Sequence, residues 1–193
     1  MGEIYIGTKF KFIKKNGKIS ESKKLELLKK WCNIFSEKNF APPYNGGSSG
    51  NLSFRPKLNY CNFTITASHT ALNNSMDNND FSEVINCRIE ENIVQAIGNK
   101  APSSEALMHY LIYKNRKDVN AIFHGHSSEI MAIAKKKGFP ETKLELPYGT
   151  IELAKDIVNT LKNYNFVVIK NHGFISVGKT QEDAGKQVLN FIK

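Results

Sequence analysis

The chain has 193 residues, with 40% hydrophobic and 23% charged side chains, the proportions of one globular domain with a sizeable core. No apolar run reaches the length of a membrane span, which excludes a helical membrane protein on sequence grounds. A formal net charge of +9 raises nucleic acid as a partner, but the lysines are dispersed (KKNGK, KKLELLKK, KKK, KNYN), with neither interleaved stacking aromatics nor a nucleic-acid motif, so no nucleic-acid partner is expected.

MGEIYIGTKFKFIKK opens the chain with alternating apolar and polar residues and lacks the continuous apolar stretch of a signal peptide. A cytoplasmic location is the resulting expectation. The alternation, with Asn16-Gly17 leading into Lys18-Ile19, predicts an N-terminal hairpin over residues 1–19 as an extra element of a single domain spanning 1–193. Ser20 or Ser22 then caps a helix whose apolar positions Leu25, Leu28, Trp31, Cys32 and Phe35 fall at helical spacing.

PPYNGGSSGN is a turn-rich break before two strands, LSFR and NFTITAS. NNSMDNND reads as a loop or an irregular short helix, and EVINCRI and IVQAIG as strands joined around Glu91-Asn92. Beyond Pro102, Ser103 or Ser104 caps a helix with Glu105 in its first turn and Ala106, Leu107, Tyr110, Leu111 and Ile112 as apolar positions. VNAIFH is a buried-looking strand, followed by a helix through Ile130, Ile133 and Ala134.

Thr150 opens a helix over ELAKDIVNTLKN, FVVIK and FISVG are strands joined by the turn Asn171-His172-Gly173, and Thr180 with Asp183 forms a capping box. The pattern is α/β of the α+β type: a central, mostly antiparallel sheet flanked by helices. Cys32, Cys61 and Cys87 are odd in number and far apart, and read as reduced, packed thiols.

Two of the five histidines, His124 and His126, bracket Gly125 at the end of a strand. Residues two apart on a strand project to one face, about 6 to 7 Å apart, so both imidazoles can meet one cation. His172, at the turn between two core strands, can supply a third nitrogen, and three histidines with an open position suit a catalytic zinc ion. Ordinary strand-end histidines are the plainer alternative. Glu105 after two serines is equally a common helix start or part of an anion site, because a helix N-terminus offers free amides. His109, one turn later, is expected to be packed rather than a ligand. Gly50-Asn51 is either a tight connection or an anion cradle.

GNLSFR, TITAS, APSSEALMH, DVNAIFHGHS, YGTIELA and IKNHGFISVG, in that order, resemble the class II aldolase/adducin family from about Leu25 to the C-terminus. The resemblance implies a three-layer fold and a metal-dependent lyase of aldolase type, cleaving a small phosphorylated ketose through an enediolate. His124, His126 and His172 match its zinc ligands, with another divalent transition metal as the variant. Glu105 matches the glutamate that can ligate the empty metal and act as acid/base once substrate binds. Gly50, Asn51, Ser68, Ser103 and Ser104 match its phosphate-binding positions. A homo-oligomer, in many members a tetramer, is implied as well.

A dehydratase or epimerase would share these ligands, and an adducin-like interaction module is the non-catalytic alternative. This chain departs from the family at three places. His69 stands where relatives usually have glycine after the residue matching Ser68. The segment between His126 and Gly149 is short, with Tyr148 only nearby in sequence to the proton-donor tyrosine that some aldolases carry there. The sequence stops at Lys193, so the usual C-terminal arm is expected to be missing.

Overall fold

A computed structural model describes residues 7–57 and 60–193. In chain order the main elements are β1 (Lys11–Lys15), α1 (Lys23–Glu37), β2 (Pro43–Tyr44), β3 (Gly47–Ser48), β4 (Gly50–Phe54), β5 (Phe63–Thr66), a short 3-10 turn (Asn78–Asp80), β6 (Phe81–Arg88) and β7 (Ile93–Ile97). The second half runs α2 (Ala106–Asn115), β8 (Ala121–Gly125), α3 (Ser128–Lys136), α4 (Ile151–Leu161), β9 (Phe166–Ile169), β10 (Gly173–Gly178) and α5 (Gln181–Leu189).

Eight strands form one sheet in the order β1-β7-β6-β5-β4-β8-β10-β9, and β2 with β3 makes a separate small ladder. Every pair in the large sheet is antiparallel except β1 with β7. Helices cover both faces, giving three layers. Leu25, Leu28, Trp31, Cys32 and Phe35 of α1 bury one stripe against Leu52, Phe123, Phe174 and the apolar sides of α3 and α5. On the opposite face, α2 and α4 pack Leu107, Ile112, Leu153, Ala154 and Ile157 over Ile65, Ile122 and Ile175. Strand residues alternate between these cores: Ile122 enters one and Phe123 the other.

Several capping expectations hold. The side chains of Ser22, Thr150 and Thr180 each accept from a backbone N–H in the first turn of α1, α4 and α5, and Thr180 with Asp183 completes the capping box. Two expectations require correction. Lys11–Lys15 pairs in parallel with Ile93–Ile97, and no strand follows Asn16-Gly17, so the N-terminal hairpin does not form; its residues 1–6 lie outside the described residues. Gly17 instead packs against Ile97, where a β-carbon would come within 2.9 Å of the isoleucine side chain. The cap of α2 is Glu105 itself, and neither Ser103 nor Ser104 forms the side-chain cap. Glu105 turns its carboxylate toward imidazoles rather than toward the helix amides.

Candidate metal and substrate site

The site lies at one end of the central strands. Within the β4–β8 ladder Gly50 faces Gly125 and Asn51 faces His124, while β10 places Ile175 opposite His124 from the other side. His126 follows the end of β8, its backbone N–H donating to the Phe40 carbonyl at 2.7 Å. His172 stands in the turn between β9 and β10, where its N–H donates to the Ile169 carbonyl at 3.1 Å and Asn171 takes the left-handed conformation with φ 54°. Glycine is required at two of these strand ends. At Gly50, with φ 116°, a β-carbon would lie 2.6 Å from the His124 carbonyl, and at Gly173 one would press on the His124 ring at 3.0 Å.

These elements bring the three imidazoles together. One nitrogen of each of His124, His126 and His172 lies within 4.8 Å of the other two. The His124 and His172 rings stack at 5.3 Å, and His126 meets both edge-on at 4.7 and 4.6 Å. Glu105 closes the group, with Oε2 at 2.9 Å from His124 Nε2 and Oε1 at 3.3 Å from His172 Nε2. Asn51 Nδ2 donates to Glu105 Oε2 at 2.9 Å.

The His124 tautomer tests whether this donor set fits a cation. His124 is fully buried, and its Nδ1 lies 2.8 Å from the Phe174 carbonyl, an acceptor only, so Nδ1 carries the proton. Nε2 is then the nitrogen that His124 turns to the site, able to ligate a cation in place of a second proton. It faces His126 Nε2 at 3.0 Å and a carboxylate oxygen at 2.9 Å. Ring nitrogens and a carboxylate converging on one point, with one ring fixed by a carbonyl on its far nitrogen, are the ligand arrangement of a metal site. The residues present fit a divalent ion.

Electrostatics agree with this arrangement. Burial, then the neighbouring His124 and His172, pushes the His126 imidazole well below its ordinary range, keeping it neutral and able to coordinate. Burial pushes the Glu105 carboxyl upward, but the charges and hydrogen bonds of His124 and His172 outweigh it and hold the group well below the usual carboxylate range.

A cavity of about 840 Å³ opens onto this cluster, with His126, His172 and Glu105 in its wall. Gly50, Asn51, Ser68, Ser103 and Ser104 also line it. Two backbone bonds explain how the serines meet: Ser68 N donates to the Ala101 carbonyl at 2.9 Å, and Ser103 N to the Thr66 carbonyl at 3.1 Å. The end of β5 is thereby stitched to the loop before α2. His69, in the left-handed region at φ 52°, is part of the same wall. Among the described residues, no helix is long and apolar enough to cross a membrane.

The residue-level reading missed part of the cavity. Tyr44, Thr70, Glu145 and Lys170 line it too, and Tyr148 proves to be a wall residue, 5% exposed, with its hydroxyl donating to the Gly7 carbonyl at 3.3 Å and Lys9 Nζ 3.8 Å above its ring. Lys170 precedes the Asn-His-Gly turn and was within reach of sequence reasoning. Glu145 sits in a stretch without local pattern, and only its bond from Asn171 Nδ2 at 2.8 Å places it.

The domain description "Class II Aldolase and Adducin N-terminal domain" matches residues 30–191. The chain belongs to the class II aldolase and adducin family. It is 29% identical over 169 residues to an L-fuculose phosphate aldolase of Methanococcus maripaludis strain C5, covering 80% of this chain and 84% of the relative. It is also 29% identical over 116 residues to the L-fuculose phosphate aldolase of Escherichia coli K12, covering 49% and 54% of the two chains. The fold is shared with solved structures. A sugar-phosphate aldolase of Thermotoga maritima superposes with a TM-score of 0.68 at 18% identity, covering 87% of this chain and 90% of that one. An L-fuculose 1-phosphate aldolase gives 0.69 at 23% identity, covering 90% and 82%. The family relationship supports an aldolase-type lyase, and the histidine cluster could hold a metal ion.

Proposed function

We propose that the chain, folded as one domain, is a zinc-dependent aldolase cleaving a small phosphorylated ketose, with its substrate phosphate and its metal held in the same cavity. The observation that carries this reading is the convergence of His124 Nε2, its far ring nitrogen held at the Phe174 carbonyl, with nitrogens of His126 and His172 and with the Glu105 carboxylate. His124, His126 and His172, with Glu105, would hold the ion. When bound, it would supply Lewis-acid stabilisation of the negative charge developing on the ketose oxygens.

The protein's own groups carry the rest. Ser68, Ser103 and Ser104, with the backbone at Gly50-Asn51, would hold the phosphate and so align the bond to be broken. Cleavage sends that bond's electron pair to the phosphate-bearing fragment as an enediolate and releases an aldehyde. Glu105, steadied by Asn51 and released from the ion once substrate binds, is placed to take the proton of the hydroxyl that becomes the aldehyde carbonyl and to return it to the enediolate carbon. A homotetramer and a cytoplasmic location go with this reading by analogy to the family.

Metal analysis together with a retro-aldol assay over several ketose 1-phosphates tests the proposal. About one zinc per chain and release of an aldehyde from at least one substrate are expected. Metal-loaded protein that cleaves none of them would shift the reading to an epimerase, a dehydratase or a non-catalytic module.

A further inference from the structure

The carboxylate of Glu105 receives no positioning from its own helix: it occupies the cap of α2 without a side-chain cap bond. Its place is set from across the layer. Asn51, Ser53 and Arg55 alternate along β4 and its immediate extension, and Glu105, His109 and Tyr113 recur every four residues on α2. A strand advances about 6.6 to 6.8 Å per two residues and a helix about 6 Å per four, so the two rows stay in step over a few rungs.

Each rung is bonded. Asn51 Nδ2 donates to Glu105 Oε2 at 2.9 Å. Ser53 Oγ lies 2.7 Å from His109 Nδ1 and 2.8 Å from the Tyr113 hydroxyl. Arg55 stacks 5.1 Å from the Tyr113 ring and donates to the carbonyls of Tyr113, Arg116 and Lys117 at 3.2, 3.0 and 2.6 Å. Ser53, Arg55, His109 and Tyr113 are all fully buried. Burial also keeps both ring groups neutral, pushing His109 down to about 3 and the Tyr113 hydroxyl upward.

Such a seam is costly unless satisfied, and once satisfied it rigidifies and specifies one arrangement of the helix on the strand. Among the described residues His109 Nε2 has no hydrogen-bond partner, so the ring is tied to β4 through Nδ1. We propose that Ser53 and His109 are positioning residues for the metal site: their bond locks the axial position of α2 against β4 and thereby holds the Glu105 carboxylate at His124 and His172. The inference rests on the metal-site reading above.

The test measures zinc dissociation constants by competition with a chromophoric chelator, alongside kcat, KM and thermal midpoints. Asparagine places an amide near the position of Nδ1, whereas glutamine reaches toward Nε2. His109→Asn should therefore stay within about twofold of wild type in zinc affinity, while His109→Leu, His109→Gln and Ser53→Ala should each weaken it about tenfold or more. In the same variants kcat should fall with KM little changed. Lower thermal midpoints with zinc affinity and kcat intact throughout the series would overturn the inference, leaving the seam a stability device. Wild-type protein that binds zinc but cleaves no sugar phosphate defeats the activity alone, and the affinity series still decides the positioning role. Wild-type protein that binds no zinc defeats both.

Discussion

Asn51 and His124 face each other across the β4–β8 ladder and converge on one atom: Glu105 Oε2 is 2.9 Å from Asn51 Nδ2 and 2.9 Å from His124 Nε2. A backbone pairing thus sets the spacing of a carboxylate and an imidazole distant from it along the chain. Asn51→Ala should remove a hydrogen bond to a buried charged group and destabilise the metal-free protein by about 1.5–3 kcal/mol. Urea denaturation of chelator-treated protein measures this, and an unchanged midpoint would contradict the geometry.

The histidines should differ in what their loss does. His124→Ala strips the Phe174 carbonyl of its donor in a fully buried position, whereas His126→Ala leaves that carbonyl satisfied. Both variants should lose bound zinc. In metal-free protein, His124→Ala should in addition be less stable than His126→Ala by about 1–3 kcal/mol.

Stability should fall on acidification. The folded state refuses a proton on His109 down to about pH 3, while the unfolded chain accepts it near the ordinary histidine value of 6.5. Between those values the unfolded state binds more protons, so this contribution is complete above pH 6.5 and is lost as pH falls toward 3. The slope approaches about 1.4 kcal/mol per pH unit for one such group. His126 acts in the same direction. Denaturation of metal-free protein at pH 7, 6 and 5 should show the slope, and His109→Asn should flatten it by the share of one proton.

The thiols should separate by access. Cys32 and Cys87 are buried, and burial pushes both thiols upward, while Cys61 is only partly covered. A chromogenic disulfide reagent should titrate one thiol quickly in the folded protein and all three after denaturation, with Cys61→Ser abolishing the fast phase.

Period and punctuation made most elements legible. The stripe of α1, the caps at Ser22, Thr150 and Thr180, and the alternation in β6 are local signals, and local chemistry realises them. The N-terminal hairpin was misread because alternation and Asn16-Gly17 describe a strand and a bend without naming the strand's partner. Lys11–Lys15 finds Ile93–Ile97, a choice made by the far edge of the sheet. The HxH pair and the Asn-His-Gly turn announced their residues in the same way, and the structure brings them together. The wall at Glu145 to Tyr148 could not be read, because its contacts to Asn171, Gly7 and Lys9 join segments without local pattern.

Because the donors sit at the cap of α2, at and just past the end of β8, and in the β9–β10 turn, they cannot gather before the middle of the sheet has assembled. An ion captured there rewards only the finished topology and gives partly assembled forms nothing. On the proposed metal-site reading, protection from chelators and resistance to unfolding should therefore rise and fall together, and a bound ion would report completed folding as well as serve the chemistry.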